Sequence, residues 1–548
     1  MKINLFAPLL GTALLLSACG SAAAPPASSS ATAPGKPSAG AAAGNAASAS
    51  AATQAKPAAT TSQLVIGSLE EPASMSPLID LPHHFPLHIA QTMMFDSLIQ
   101  YLPDGTIGPK LATSWTVSPD GKEYTFKLDP KAKWWDGQPV TADDVKFTFD
   151  TMNDDKSGSS NEGVDVVSKT EVLDPQTVKI TIKQLTPFFL AQGGSRGIVP
   201  KHVLQGQDVA KSDFNRKPIG SGPFKFVSWQ QGQAITMEAN AEYFRGAPKI
   251  GRLVIKILSD PNLQLTQLRS GEIQYALLDP KDLPAAQQLP GFKLYENPTP
   301  RYFDISPNFA KQPDMFGNKD AMLGLLAGID RQSIVDKVLG GHGKVVDSFI
   351  DQVSWAYNPD TPKHPYDKAR AQQLLASAGW TGKGSDGILT RNGKRFSFSV
   401  VINNFDSSLV QALTVAQQNL KDVGVEMKLD VVEPGIFDSR RSKGDFDAFS
   451  RVWNPVYDPD EASLNDTSGA HGYSNAQIDD LDKQALATTD QATRKKIYAQ
   501  EQVILANDPA RLWLYTQNEL HFMSDKIQGV QLHPVNVFWN LKDWSINA

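Results

Sequence analysis

The segment Pro109–Asp150 reads PKLATSWTVSPDGKEYTFKLDPKAKWWDGQPVTADDVKFTFD and decides the fold. Within it Tyr124, Phe126 and Leu128 alternate with polar residues, which is the period of a β-strand with one face on a core. The dipeptide Asp120-Gly121 just before this run is a turn signal. The segment therefore predicts one arm of a hairpin-like β-unit.

A second turn and a helix follow at once. Trp134-Trp135-Asp136-Gly137 forms an aromatic-rich turn, and Thr141 is followed three residues later by Asp144. This spacing predicts a capping box that opens a helix through Val145 and Phe149. A strand, a turn and a capped helix in this order make a distinctive local pattern.

Together, the motifs Pro-x-Leu-Ala-x-x-Trp, Asp-Gly, Trp-x-Asp-Gly and Thr-Ala-x-Asp-Val resemble the family 5 extracellular solute-binding proteins of bacterial ABC importers. The resemblance implies an α/β, two-lobed periplasmic-binding-protein fold, type II-like and large, with an additional inserted α/β domain. It also implies these segments: 63–103, 191–297 and 511–548 for lobe I, 104–190 for the inserted domain, and 298–510 for lobe II.

Composition excludes some classes of partner. The 548 residues carry 52 Lys and Arg against 58 Asp and Glu, a formal charge of −6. Nucleic-acid-binding domains carry clustered positive charge, so we expect no nucleic-acid partner. The length exceeds what one hydrophobic core supports and predicts several domains.

The N-terminus predicts export. Lys2 precedes an apolar run from Leu5 to Leu16, and small residues follow, as in a secretory signal peptide that ends at residue 18. Leu16-Ser17-Ala18-Cys19 resembles a lipobox, which implies that Cys19, the single cysteine, is lipidated and holds the protein to a membrane. A plain signal peptide cleaved near Ala18 is the alternative. No later stretch is long and apolar enough to span a bilayer.

Residues 19–62 combine the lipidated cysteine with a linker of Ala, Ser, Pro, Gly and Thr, which predicts disorder. The folded part begins with a buried strand at Leu64–Gly67. We also predict a helix from His88 to Ile99 and a strand at Val178–Ile182. Later predicted elements are helices over 409–420, 476–486 and 490–505, a strand at 425–431, and C-terminal strands at 512–515 and 530–544.

The resemblance places a ligand-binding strand at Phe449–Asn454. In relatives that bind peptides the ligand is held as an added β-strand, so Val452 and its neighbours offer backbone hydrogen bonds. Trp453 is a candidate for stacking on the ligand and Arg451 for meeting a carboxylate. Two alternatives stay open: Trp453 as a core side chain and Arg451 as a surface charge.

One departure affects the expected ligand. Peptide binders place an aspartate shortly after this tryptophan to pair with the α-amino group of the peptide. Here Asn454 and Tyr457 occupy that segment, and the first carboxylate is Asp458. A buried ammonium without a partner is costly, so a peptide with a free amino group is in question unless Asp458 substitutes.

Four further residues are cleft candidates by resemblance of position, namely Glu70, Tyr302, Trp355 and Asn403. Glu70 follows the first strand, and Asn403 follows the predicted strand Phe398–Ile402. Clefts of α/β folds collect ligands at such strand ends. A loop-capping or surface role is the alternative for each.

Motifs for chemistry are weak. Gly193-Gly194-Ser195-Arg196-Gly197 has the letters of a nucleophile elbow, which requires a strand into the serine and a helix directly after it. Gly220-Ser221-Gly222-Pro223-Phe224 lacks the Lys-Ser/Thr ending of a phosphate loop and predicts backbone geometry. His83, His84 and His88 lie among prolines that prevent a shared helix face, so we predict no metal site.

The sequence thus predicts a non-enzymatic, cofactor-free, monomeric receptor outside the cytoplasm, lipid-anchored on the periplasmic or outer face of the cell membrane. It would capture a peptide or other small solute and deliver it to an ABC permease and its ATPase. A secreted hydrolase that uses Ser195 or a carboxylate pair is one alternative. A non-transporting sensor or surface chaperone on the same fold is another.

Overall fold

The structure is a computed structural model that describes residues 62–79, 85–160, 163–404, 407–453, 458–459 and 471–547, with the backbone alone for 85–88. The signal segment, Cys19, the linker, His83, His84, Asn454 and Tyr457 lie outside the described residues.

The strands, in chain order, are β1 (Gln63–Ser68), β2 (Ile99–Tyr101), β3 (Ile107–Pro109), β4 (Ala112–Val117), β5 (Glu123–Leu128), β6 (Val167–Asp174), β7 (Thr177–Ile182), β8 (Phe224–Gln230), β9 (Ala234–Ala239), β10 (Arg252–Ile257), β11 (Tyr275–Leu278), β12 (Phe292–Asn297), β13 (Tyr302–Pro307), β14 (Gly343–Val345), β15 (Gly382–Lys383), β16 (Leu389–Arg391), β17 (Lys394–Arg395), β18 (Ser397–Asn403), β19 (Glu426–Val432), β20 (Ala448–Phe449), β21 (Val452–Trp453), β22 (Leu512–Gln517), β23 (Glu519–Ser524), β24 (Ile527–Gln528) and β25 (Ser545–Ile546).

The α-helices are α1 (Phe85–Met94), α2 (Ala142–Met152), α3 (Phe189–Gln192), α4 (Lys201–Leu204), α5 (Pro261–Ser270), α6 (Leu283–Ala286), α7 (Pro313–Phe316), α8 (Lys319–Gly328), α9 (Arg331–Lys337), α10 (Lys368–Ser377), α11 (Ser407–Asp422), α12 (Pro434–Ser442), α13 (Ala476–Leu486) and α14 (Gln491–Asn507).

Two large sheets organise the chain. The first has the strand order β12-β23-β11-β1-β10-β9-β8, with β1 parallel to both β10 and β11. The second has the order β14-β22-β13-β20-β18-β19, with β21 paired to β13 and with β18 parallel to β19 and β20. A parallel pair needs a long crossover connection, which is why helices such as α11 lie between these strands.

The opening segment forms its own sheet, in the order β4-β5-β7-β6. In β5 the residues Tyr124, Phe126 and Leu128 are buried and the intervening ones are more exposed, as the alternation predicted. The capping box is also present, because Thr141 and Asp144 bond to each other reciprocally at the start of α2. These four strands and α2 share one hydrophobic core with the first large sheet.

The first large sheet is covered on both faces. One face packs on the core shared with the inserted strands, and the other packs on a smaller cluster that includes Val65 and Leu268 of α5. A strand buried on both faces is apolar along its length, and β1 shows this, since Leu64, Val65 and Ile66 are all buried. The second large sheet has a separate core.

The structure corrects one predicted helix boundary and one predicted strand. The helix predicted over His88–Ile99 is α1, Phe85–Met94, and Ile99 begins β2. The helix stops because the Met94 carbonyl accepts a hydrogen bond from the backbone of Gly222 (2.9 Å) rather than from the next turn. The predicted strand at 530–544 is wrong, since this stretch is irregular with one 3₁₀ turn at Leu541–Asp543.

The helix prediction for 476–486 is confirmed, and those for 409–420 and 490–505 are confirmed with slightly longer helices. The predicted strands at 64–67, 178–182 and 512–515 are likewise present in β1, β7 and β22. The last of these, β22, pairs with β13 and β14, so it belongs to the second large sheet, and β23 returns the chain to the first. No helix in the described ranges is long and apolar enough to cross a membrane.

Candidate functional site

A cleft of about 1090 Å³ lies where the two large sheets meet. Its walls come from the first lobe together with inserted-domain residues such as Lys110, which we call the first-lobe wall, from the C-terminal residues 534–543, and from Asn404 and Ser407 of the second lobe. The volume is slightly above the usual range for ligand pockets, about 300–1,000 Å³. A cleft of this size accommodates a small organic solute or a short peptide.

Strand ends build much of the cleft. Glu70 follows β1, Ser259 follows β10 and Asp279 follows β11, and all three residues line the cavity. From the other side Asn404 follows β18. The carboxyl ends of parallel strands in α/β sheets leave a crevice because the connections depart to opposite faces, and ligands bind in that crevice.

The floor of the cleft is made of the two connections between the sheets. Residues 298–301 join β12 to β13, and Asn518 alone joins β22 to β23. The two connections are bonded to each other, since the Thr299 hydroxyl donates to the Gln517 carbonyl (3.3 Å). Two short crossing segments are the geometry of a hinge between lobes.

Polar contacts fix this hinge. The Asn518 side chain donates to Glu296 (2.6 Å), and its backbone donates to the His342 carbonyl (3.1 Å). The Glu296 carboxylate also lies 3.1 Å from the His342 ring. These bonds join residues of both lobes at one of the two crossing segments.

A second contact joins the lobes at the cleft edge. The Lys281 ammonium donates to the Ser407 hydroxyl (3.0 Å), and the Ser408 hydroxyl donates to Asp279 (2.8 Å). Nearby Asp282 has a raised pKa, because burial outweighs the attraction of Lys281. The start of α11 is thereby held against the end of β11.

The first-lobe wall contains a buried carboxylate, Asp96. It accepts hydrogen bonds from the hydroxyls of Tyr243 (2.8 Å) and Ser221 (2.9 Å), and the Lys110 ammonium is 3.9 Å away. Burial and the Asp96 charge raise the pKa of Tyr243 well above its usual value. Burial lowers the pKa of Lys110, although Asp96 opposes this and neighbouring Arg245 adds to it.

The Gly-rich turn before β8 works by close backbone approach, as predicted. A Cβ at Gly220 would lie 1.9 Å from the Met94 carbonyl oxygen, and one at Gly222 would lie 2.4 Å from that of Met93. Only glycine fits there, and this proximity brings Ser221 onto Asp96.

Trp453 and Tyr302 lie in the second lobe, opposite each other on paired strands β21 and β13. Trp453 is 6% exposed, and its indole donates to buried Asp304 (2.9 Å). The guanidinium groups of Arg451 and Arg511 lie 4.0 and 4.2 Å from its ring centre. Tyr302, Arg451, Val452 and Trp453 are not among the residues that line the described cleft.

Asp458 and Trp355 come together around a different cation, Arg494. Asp458 accepts two hydrogen bonds from the Arg494 guanidinium, one of them 2.8 Å long. The same guanidinium lies 5.5 Å from the Trp355 ring centre and donates to the Tyr498 hydroxyl (2.8 Å). Because Arg494 already pairs with the Asp458 carboxylate, a ligand ammonium would have to compete with Arg494 for that carboxylate.

Of the other candidates, Glu70 lines the cleft and Asn403 ends β18 beside the lining residue Asn404. Ser195 also lines it, but the residue closes a 3₁₀ turn, Gly193–Ser195, and its hydroxyl donates to the Gln192 carbonyl (2.9 Å). The strand that a nucleophile elbow needs before its serine is therefore missing. In the parts of the chain that the structure describes, no three His, Cys, Asp or Glu side chains are grouped as metal ligands.

Sequence reasoning missed the first-lobe wall, above all Lys110, Tyr243 and Arg245. Lys110 stands inside the diagnostic Pro-Lys-Leu-Ala motif and Arg245 follows the aromatic pair Tyr243-Phe244. Neither position has a periodicity or spacing that marks a site.

Fold and cleft define a two-lobed binding protein, and comparison with known sequences agrees. A sequence profile of the bacterial extracellular solute-binding proteins, family 5 (middle part), matches residues 106–475. The chain belongs to this family, as the sequence motifs predicted.

Individual relatives span nearly the whole folded part. The chain is 31% identical to the oligopeptide-binding protein AppA of Bacillus subtilis (strain 168) over 501 residues, 88% of this chain and 91% of the relative. It is 29% identical to the probable D,D-dipeptide-binding periplasmic protein DdpA of Escherichia coli (strain K12), over 86% of this chain and 92% of the relative.

Solved structures match equally well. AppA from Bacillus subtilis in complex with a nonapeptide superposes with a TM-score of 0.77 at 30% identity, over 89% of this chain and 99% of the other. NikZ from Campylobacter jejuni in complex with Ni(L-His) gives a TM-score of 0.77 at 27% identity, over 88% and 99%. The predicted α/β two-lobed fold is confirmed.

Proposed function

We propose that this protein is the substrate-binding component of an ABC importer. It captures a peptide or similar small solute between its two lobes and passes it to a membrane permease driven by an ATPase. The observation that carries the proposal is the cleft of about 1090 Å³ whose floor is the pair of crossing connections. A solute that touches both walls stabilises the closed form only through contacts that the open form lacks.

The lobes are proposed as predicted: 63–103, 191–297 and 511–548 for lobe I, 104–190 for the inserted domain and 298–510 for lobe II. The separate sheet β4-β5-β7-β6 supports the inserted domain, and the two crossings near 298 and 518 support the division between lobes. The strand β22 is the exception within the last segment, because it pairs in the second sheet.

We further propose a lipid on Cys19 that anchors a monomer outside the cytoplasm, with residues 20–62 as a tether. This rests on the sequence Leu-Ser-Ala-Cys after an apolar segment. Several acyl chains hold a protein firmly to a bilayer, because each buried methylene contributes about 0.8 kcal/mol. The protein is proposed to bind its solute unchanged, without enzymatic turnover or a cofactor, and the geometry around Ser195 supports this.

The proposed ligand is either a peptide or another small solute. The family likeness includes a nonapeptide complex and a nickel–histidine complex, so both chemistries are represented among relatives. In this chain Asp458 is bonded to Arg494, which disfavours it as the partner of a peptide amino group.

Binding in the cleft is tested with the full chain carrying Cys19→Ser, which removes the lipid. Native mass spectrometry of the fresh protein, followed by calorimetry with defined peptides of two to nine residues, measures a one-to-one complex. The variant Ser259→Trp puts a large ring into the cleft and is expected to abolish binding. The control Ser168→Trp, on an exposed strand of the inserted domain, is expected to bind normally. Equal binding by both variants would contradict the proposed site.

A further inference from the structure

The first-lobe wall of the cleft carries two neighbouring cations, Lys110 and Arg245. The Lys110 side chain is 12% exposed, and its ammonium donates to the Phe95 carbonyl (3.3 Å). The Arg245 guanidinium donates to the neutral Gln100 amide oxygen (3.3 Å). Each cation thus has a neutral hydrogen-bond acceptor of its own.

One carboxylate lies near this pair, and its oxygens are engaged elsewhere. Asp96 accepts one hydrogen bond from Tyr243 on one oxygen and one from Ser221 on the other. Lys110 stands 3.9 Å away, beyond hydrogen-bond length. Two positive charges therefore face one buried negative charge. The same wall also holds one further cation, Arg196, and one further carboxylate, Glu70, so a surplus of one positive charge remains.

Arg196, another lining cation, donates to the carbonyl oxygens of Pro77 (3.0 Å) and Ser160 (3.3 Å). Three lining cations each have a carboxylate within 4 Å that also lines the cleft: Lys281 with Asp279 (3.4 Å) and Asp282 (3.6 Å), Arg301 with Glu519 (3.6 Å), and Lys542 with Asp543 (2.7 Å). Among the described residues, Lys110 and Arg245 are thus two cations that lie near each other with no carboxylate at hydrogen-bond length.

Two like charges near each other in a partly buried wall are unfavourable without an anion. The lowered pKa of Lys110, caused first by burial and increased by Arg245, reflects this cost. A ligand carboxylate would remove the repulsion and would gain charge-assisted hydrogen bonds from both groups.

We propose that Lys110 and Arg245 form an anion subsite that selects solutes bearing a carboxylate, such as the C-terminal carboxylate of a peptide. This deepens the proposed function and rests on it. The subsite holds the acidic end of the solute against the first lobe, and the rest of the solute extends across the cleft toward Asn404 and Ser407.

The test compares each of several tripeptides and small dicarboxylic acids, as free acids, with their amides. Calorimetry on the Cys19→Ser chain gives the ratio of the two dissociation constants. The protein with both wild-type residues is expected to bind the free acid with a dissociation constant about 10- to 100-fold lower than that of the amide. This is the range for a hydrogen bond to a charged group. In Lys110→Met and in Arg245→Gln the ratio is expected to approach one, while the affinity for the amide changes little.

Three further variants separate charge from folding. Arg245→Lys keeps the positive charge and is expected to retain part of the preference. Lys293→Met and Arg252→Gln remove exposed cations of the first sheet outside the cleft and are expected to keep the full ratio. Thermal melting of every variant identifies any that unfolds.

The outcomes distinguish this inference from the proposed function. Tight binding of acid and amide alike, or an unchanged ratio in both cleft variants, overturns the anion subsite and leaves the receptor role intact. If native mass spectrometry finds a neutral or cationic solute retained by the wild-type chain, the subsite is likewise overturned. If no probe binds in calorimetry and native mass spectrometry finds no retained solute, the receptor role and the subsite are overturned together.

Discussion

At the scale of single residues, the second lobe contains a buried pair of acids between α13 and α14. Glu501 is 1% exposed and Asp482 is 5% exposed. Burial, and then the charge of Asp482, raises the pKa of Glu501 well above its usual value of 4.5. Glu501 therefore holds a proton in the folded protein at a pH where the unfolded chain has released it.

This pair predicts a pH-dependent stability. A raised carboxyl pKa contributes stability that is present below about pH 4.5 and is lost as the pH rises toward the folded-state value. Each pH unit in that window costs about 1.4 kcal/mol. Glu501→Gln removes the titration, so its melting temperature is expected to exceed that of the wild type at pH 8 and to differ less at pH 5.

Exposed Glu242 supplies the control, because Glu242→Gln changes a solvated carboxyl and is expected to follow the wild-type pH profile. Parallel stability profiles for Glu501→Gln and the wild type between pH 5 and pH 8 would refute the assignment.

At the scale of elements, Asp144 organises the start of α2. Its carboxylate accepts hydrogen bonds from the Thr141 backbone (2.8 Å), the Trp134 indole (3.3 Å) and the Lys201 backbone (2.9 Å). One side chain thus joins the aromatic turn, the helix and α4. Removing a buried acceptor leaves each of these donors without a partner.

Asp144→Ala is expected to destabilise the protein by about 2–4 kcal/mol, from a lost cap and orphaned donors. Urea unfolding measures the loss. The matched control on the same helix is Asp150→Ala, which breaks the exposed Lys146–Asp150 pair (2.6 Å) and is expected to cost less than about 0.5 kcal/mol. Equal losses in the two variants would contradict the role given to Asp144.

These elements also show what the sequence can predict. The alternation in β5, the Thr141–Asp144 box and the helix stripes of α11 and α13 are local signals, so the sequence located them. The stretch 530–544 is rich in apolar and aromatic residues but is held by side chains, as when Asn540 donates to the Gly529 carbonyl (2.8 Å) and the Trp544 indole to Asn540 (2.8 Å). Such side-chain bonds leave no periodic pattern in the sequence, and this is why a strand was wrongly predicted here.

The candidate site was predictable only in part, for a related reason. Glu70 and Asn403 were chosen because they follow predicted strands, and Glu70 does line the cleft. Lys110 and Arg245 become neighbours through the fold, since they come from separate turns far apart in sequence. Their joint charge is visible only once both turns are in place.

At the scale of the whole molecule, capture of a solute is expected to depend on movement about the two crossings. The contact of Lys281 with Ser407 and that of Asp279 with Ser408 join the lobes at the cleft edge. A solute adds contacts to both walls, so it is expected to shift the population toward the joined arrangement.

The most direct test is the distance between the lobes with and without solute. Leu263 on α5 and Ile436 on α12 are exposed positions in different lobes, and Cys19 is the only native cysteine. Spin labels on Leu263→Cys and Ile436→Cys in the Cys19→Ser chain report this distance by pulsed electron paramagnetic resonance. Saturation with a solute that calorimetry has shown to bind is expected to give a single, narrow distance distribution, shorter than in the free protein. An unchanged distribution at saturation would contradict capture by closure of the two lobes.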